Sequence, residues 1–171
     1  MVFHFRRKRL GKNAYHVVKQ EKKTSCGQAC IAMLTGLSHD AVLHLYEKNI
    51  RQENIKRRLR HFSREYYTSA NEQIKLLTNI IGENSCKKKK FVNWKKLCES
   101  ECRMILSIRY VGSKYVSKTN HAVVFVNKKN DDEKLEAKII DPIDGRIIKF
   151  NKHNSRPLRR MIVFRCLQVN F

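Results

Sequence analysis

The sequence predicts an α+β domain, helices first and an antiparallel sheet after them, with the helix that begins at Cys26 laid against the sheet. Three observations lead there. Apolar residues recur at helical spacing from Cys26 to Ile81. From Met104 to Val169 they instead fill short runs rich in isoleucine, valine and phenylalanine. Asp144-Gly145, between two of those runs, is the dipeptide of a tight hairpin turn. A chain of 171 residues that is 42% hydrophobic can bury one core of ordinary size. It reads as a single domain over 1–171, of which 1–16 is a basic lead.

Each element has its own signal. Ser25 with Gln28 three residues on has the form of a capping box, so the first helix starts at Cys26. Its apolar stripe is Cys26, Ala29, Cys30, Met33, Leu34 and Leu37, and Gly36 marks its end. Ser38, Ala41, Val42, Leu45 and Tyr46 give a second helix, to about Asn49. Residues 51–69 are polar and basic, with a helical turn or two at Ile55–Phe62. Ile74, Leu77, Thr78 and Ile81 give an amphipathic helix over Asn71–Ile81, closed by Gly82. Cys86 and Lys87–Lys90 read as a loop, and Phe91, Trp94, Leu97 and Cys98 as a short helix to about Glu101. Strands are expected at Met104–Val111, His121–Val126, Ala137–Ile140, Arg146–Phe150 and Met161–Val169.

Charge narrows the partners. With 37 Lys and Arg against 15 Asp and Glu the net charge is +22, a field that draws anions and speeds encounter with an acidic partner. Nucleic acid, an anionic membrane surface and an acidic protein all fit it. No run approaches the ~18 apolar residues of a membrane span. At the N-terminus the apolar residues precede the charges, the reverse of a signal peptide, so a cytoplasmic site of action is expected. Six cysteines are too sparse for a disulfide scaffold, and reduced thiols are expected. Cys26/Cys30 and Cys98/Cys102, each four apart on segments that read as helical, are spaced like two half metal sites. The same spacing suits plain core positions, and no metal or cofactor is assigned.

One set of residues carries chemistry. A helix N-terminus favours negative charge, so a thiol at the first position, Cys26, is placed to act as a thiolate nucleophile. Such a nucleophile needs a proton partner and a group that orients the partner. His121 opens one strand and Asp141 closes the next. A loop tip near Asp131 would set His121 opposite Asp141, within hydrogen-bond reach. The free backbone N–H of Cys26 and the side-chain amide of Gln20, six residues earlier, are candidate donors to an oxyanion.

These residues resemble a family. Gln20, then Cys26-Gly27 opening a helix with the body Ala29-Cys30-Ile31-Ala32-Met33, is similar to the leader-peptidase domains of bacteriocin exporters, papain-like cysteine peptidases that cut after a double-glycine leader. Asn120-His121-Ala122-Val123-Val124-Phe125-Val126 resembles the family's histidine strand, and Ile139-Ile140-Asp141-Pro142 with Gly145 its aspartate-proline turn. The resemblance implies a papain-like fold acting on peptide or protein substrates. Cys26 is then the nucleophile, His121 general base and then acid, Asp141 its orienting group, and Gln20 the oxyanion donor. Ser25 stands where that family has an acidic residue, and the helix ends Leu34-Thr35-Gly36 rather than on an aromatic pair. With the strong charge, and with no transporter segment alongside, these differences turn the expected context from leader processing toward a toxin or effector domain. An acidic inhibitor or immunity-type protein is its expected partner.

Two other classes stay open. Arg6–Arg9, Lys56–Arg60, Lys87–Lys90 and Arg156–Arg160 could contact phosphates, making this a basic nucleic-acid-binding or nuclease domain on the same scaffold. Alternatively Cys26 is a core thiol in a non-catalytic binding module.

Overall fold

Helix α1 (Cys26–Thr35) organises the fold. Every residue from Gly27 to Leu34 is buried, so the helix is covered on all sides and not along one stripe. Cys26, at its tip, is only half-buried. Ile31, Met33 and Leu34 each contribute up to about 1.5–3 kcal/mol by leaving water. The structure, a computed structural model, describes residues 17–22, 24–52, 66, 68–110, 121–151, 153, 158 and 161–170. The basic lead, the turn expected at Ile55–Phe62 and the clusters Arg6–Arg9, Lys56–Arg60 and Arg156–Arg160 fall outside those residues, apart from Leu158.

The N-terminus of α1 departs from expectation. Ser25 makes no cap: its hydroxyl accepts from the Lys22 N–H at 3.3 Å and donates to the Lys22 carbonyl at 2.9 Å. Gln28 is also diverted, its amide donating to the Tyr66 carbonyl at 2.9 Å. The capping box therefore does not form, because both its side chains are engaged elsewhere, and the first turn of α1 carries no side-chain cap. Gly27 has a packing reason. A Cβ there would lie 2.6 Å from Gln73 Nε2 and closer still to Thr68 Oγ1, a pair already hydrogen-bonded to each other.

The other helices follow local rules. Helix α2 (His39–Tyr46) is capped by Ser38, whose side chain accepts from the Ala41 N–H, and it runs into one π turn at Glu47–Arg51. Helix α3 (Ala70–Ile81) has the capping box that α1 lacks, with Ser69 and Glu72 each bonding the other's backbone. Helix α4 is short, Trp94–Leu97, with Asn93 capping Lys96.

Six strands form one antiparallel sheet: β1 (Cys86–Lys89), β2 (Cys102–Tyr110), β3 (His121–Lys129), β4 (Leu135–Ile140), β5 (Ile147–Phe150) and β6 (Met161–Val169), in the order β1-β6-β2-β3-β4-β5. The α+β class and the helix-first order agree with the sequence reading. On one face Ile105, Ala122, Val124, Val126, Ile140 and Leu167 pack against α1, α2 and α3. On the other Leu106, Val123, Phe125, Ile139 and Cys166 meet Trp94, Cys98 and Leu158. With both faces covered, successive side chains of β3 from Ala122 to Val126 are all buried, which is why that stretch reads as an unbroken apolar run.

Two expectations fail here. Cys86 to Lys89 form a strand and not a loop, held by their ladder to β6 from Cys86 opposite Val169 to Lys89 opposite Cys166. Lys87, Lys88 and Lys89 are exposed on this outermost strand, where charge discourages further pairing. The short helix also ends at Leu97, so Cys98 and Cys102 do not share a helix, and Cys102 opens β2. Cys26 and Cys30 pack on one face of the sheet and Cys98 and Cys102 on the other, so the four thiols do not converge. Among the described residues no helix is long and apolar enough to cross a membrane.

Candidate active site

The tip of α1, the start of β3 and the end of β4 meet at one end of the sheet. His121 Nε2 lies 2.7 Å from Asp141 Oδ1. An ionised carboxylate only accepts, so the imidazole donates. With Nε2 engaged, Nδ1 is the ring nitrogen left for Cys26, to which His121 also hydrogen-bonds. The imidazole thus sits between thiol and carboxylate, 13% exposed against 4% for the Asp141 side chain.

The register behind this contact is not the one expected. A ladder that sets His121 opposite Asp141 also sets Val124 opposite Lys138, whereas Val124 pairs with Ile140 and Phe125 with Ile139. The cause is the turn. Asn130 Oδ1 accepts from the N–H groups of Asp132 and Lys134, and Glu133 takes φ 59°, which moves the tip one residue beyond Asp131. The slip is by two residues, so side-chain parity survives, and His121 reaches Asp141 as a diagonal neighbour on the same face.

Asp141 is well supplied with donors. Oδ1 also accepts from the Ile143 N–H at 2.9 Å, and Oδ2 from the Tyr110 hydroxyl at 2.8 Å. Its backbone closes the turn into β5 through Asp141 N–H to Arg146 carbonyl and Gly145 N–H to Asp141 carbonyl, both 2.9 Å. Gly145 has φ 75°, and Val17 and Lys19 would lie 3.1 Å from any Cβ there. Residues 17–20 therefore rest on this turn, and the Gln20 N–H donates to the Pro142 carbonyl at 2.7 Å. So the segment carrying Gln20 is tied to the turn carrying Asp141, six residues before Cys26 opens α1.

The electrostatics follow. Burial pushes the His121 imidazole toward its neutral form, but the hydrogen bonds to Asp141 and Cys26 and their negative charge outweigh it and raise its pKa to about 9. Burial favours protonated Asp141, and the bonds from His121, Ile143 and Tyr110 more than reverse this and hold it below the usual carboxylate range. At neutral pH the pair is imidazolium and carboxylate. Burial pushes the other five thiols up, those of Cys86, Cys102 and Cys166 to about 11.

Comparison with protein-family models finds no match, and comparison with curated proteins finds none. The site rests on its own geometry. Sequence reasoning placed Cys26, His121, Asp141 and Gln20 but missed Tyr110 and the Ile143 N–H. Tyr110 stands in a strand of alternating residues and gives no signal of its own; only the position of β2 beside β3 reveals it. His39 is buried, beside Glu21 and the Ser25 backbone. Among the described residues no cluster of three or more His, Cys, Asp or Glu could hold a metal ion.

Proposed function

We propose that the chain is a papain-like cysteine hydrolase acting on peptide or amide bonds. The observation that carries this is the His121 imidazole bridging Cys26, at the uncapped tip of a buried helix, and the buried Asp141 carboxylate. In this reading the Cys26 thiolate attacks the carbonyl carbon and the oxyanion forms against the Cys26 backbone N–H and the Gln20 amide. His121 gives its proton to the leaving amine, which departs and leaves a thioester. Water then attacks the thioester, His121 taking its proton, and the acid product is released as the Cys26 thiolate leaves, restoring the thiolate and protonated imidazole. Asp141 holds the imidazole in orientation throughout.

The test is alkylation by iodoacetamide at mildly acidic pH, mapped by mass spectrometry. We expect Cys26 alone to be labelled, and His121→Ala to suppress that labelling. Slow, even labelling of all six cysteines would overturn the reading.

The high charge supports a toxin or effector context with an acidic inhibitor or immunity-type partner, since steering raises the rate of such an encounter. The nucleic-acid reading finds its support in Lys87 to Lys90, all exposed beside the sheet edge. Polyanion retention should collapse between ~50 and ~200 mM salt, as counterion release requires, and weaken when these four lysines become glutamine. Cys26 labelling should not change in that variant. Nucleic-acid cleavage that persists at physiological salt and ignores Cys26 would favour the nuclease instead.

A further inference from the structure

We propose that Tyr110, at the end of β2, is a positioning residue of this site that acts through Asp141 to keep the carboxylate aimed at His121. The inference rests on the hydrolase reading for its purpose, though its test does not. Asp141 Oδ1 is held by His121 Nε2 and the Ile143 N–H, and a donor on Oδ2 holds the other end of the carboxylate against rotation about its Cβ–Cγ bond. Tyr110 is that donor, at 2.8 Å.

The direction of this hydrogen bond is fixed by its acceptor: an ionised carboxylate only accepts, so the phenol proton goes to Asp141 Oδ2. Burial, the Asp141 charge and the hydrogen bond to it all hold the phenol protonated. Tyr110 is therefore a donor at any pH at which the site works. Its ring is held too: Tyr110 pairs with Met161 of β6, packs on the second face of the sheet, and lies 6.5 Å from the His121 ring, centroid to centroid. Tyr110, Asp141, His121 and Cys26 form one continuous chain, and among the described residues the Arg146 guanidinium beside Tyr110 and the buried Cys30 thiol beside Cys26 and Asp141 are further charged or titratable groups that bear on it.

The chain has a chemical consequence. Each donor to Asp141 draws off some of its charge, and a less basic carboxylate lets His121 release its proton more readily to a leaving amine. Removing the Tyr110 hydroxyl would return that charge to Oδ1 and make His121 hold its proton to higher pH.

The experiment is an NMR titration of the His121 ring in the full chain. In Tyr110→Phe we expect the midpoint to rise by about 0.5–1 pH unit, with kcat on any cleaved substrate falling about 10-fold and KM unchanged. Site-specific 3-fluorotyrosine at 110, a stronger donor of the same shape, should move the midpoint the opposite way and keeps the test open if the Phe variant folds poorly. A midpoint unmoved by either change, with only the melting temperature affected, would show a merely structural tyrosine and overturn the proposal. Failure of the hydrolase reading would register separately, as loss of selective Cys26 labelling in the unaltered chain.

Discussion

Cys26→Ala is expected to lower hydrolysis by about 10⁴-fold or more, the scale on which a covalent nucleophile acts, while the melting temperature moves by no more than a few degrees. The reasoning is local. Cys26 is the half-buried first residue of α1, alanine suits a helix, and loss of one sulfur at a partly open site leaves little cavity. Cys30, one turn on and fully buried, is the contrast. The substitution has a second readout that needs no substrate. Part of what raises the His121 pKa is its hydrogen bond to Cys26 and the charge there. In Cys26→Ala the imidazole should therefore lose its proton at lower pH, seen by NMR titration. If activity survives while stability drops by several degrees, Cys26 is a core residue and the enzyme reading fails.

The pair His121 and Asp141 gives the next largest effect. His121→Ala should reduce turnover about as severely as loss of the nucleophile, whereas Asp141→Asn should cost less, on the order of 10- to 100-fold. An asparagine can still accept from His121 and the Ile143 N–H through Oδ1. Its amide can donate to the Tyr110 oxygen once that hydroxyl turns, so orientation is kept and only charge is lost. Equal and negligible effects of both changes on an established activity would remove the pair from the mechanism.

The same pair predicts how stability varies with pH. The folded pKa of His121 is raised from 6.5 to about 9, so its contribution is complete below the unfolded value and is lost as pH rises through about 9. The folded pKa of Asp141 is lowered from 3.8, so its contribution is present above that value and is lost as pH falls through the depressed one. Between roughly pH 4 and 6.5 both act in full. Melting curves of Asp141→Asn against the native chain should differ most in that window and converge as pH rises past 9. A constant difference across pH 4–10 would mean that the pair's charge does not stabilise the fold.

Much was legible from the order of residues alone. Helical periodicity with Gly36 placed α1, Ser38 placed the start of α2, and the apolar runs placed five of the strands, Met161–Val169 to the residue. The candidate site was legible too, because a thiol at a helix start, a histidine at a strand start and an aspartate in a turn each occupy positions that local rules identify. What only the tertiary structure decided depends on distant partners. Lys87 to Lys89 have no propensity for a strand and become one because β6 offers a ladder at the sheet edge. Ser25 and Gln28 match the pattern of a cap, but Lys22 and Tyr66 claim their side chains, which leaves the tip of α1 without a side-chain cap. The register that joins His121 to Asp141 was set by the side chain of Asn130 in the turn, which periodicity does not see. Tyr110 became a third hydrogen-bond donor to Asp141 only because β2 lies beside β3, a long-range pairing whose cause is burial of the whole sheet and not any property of residues near Tyr110 in the chain.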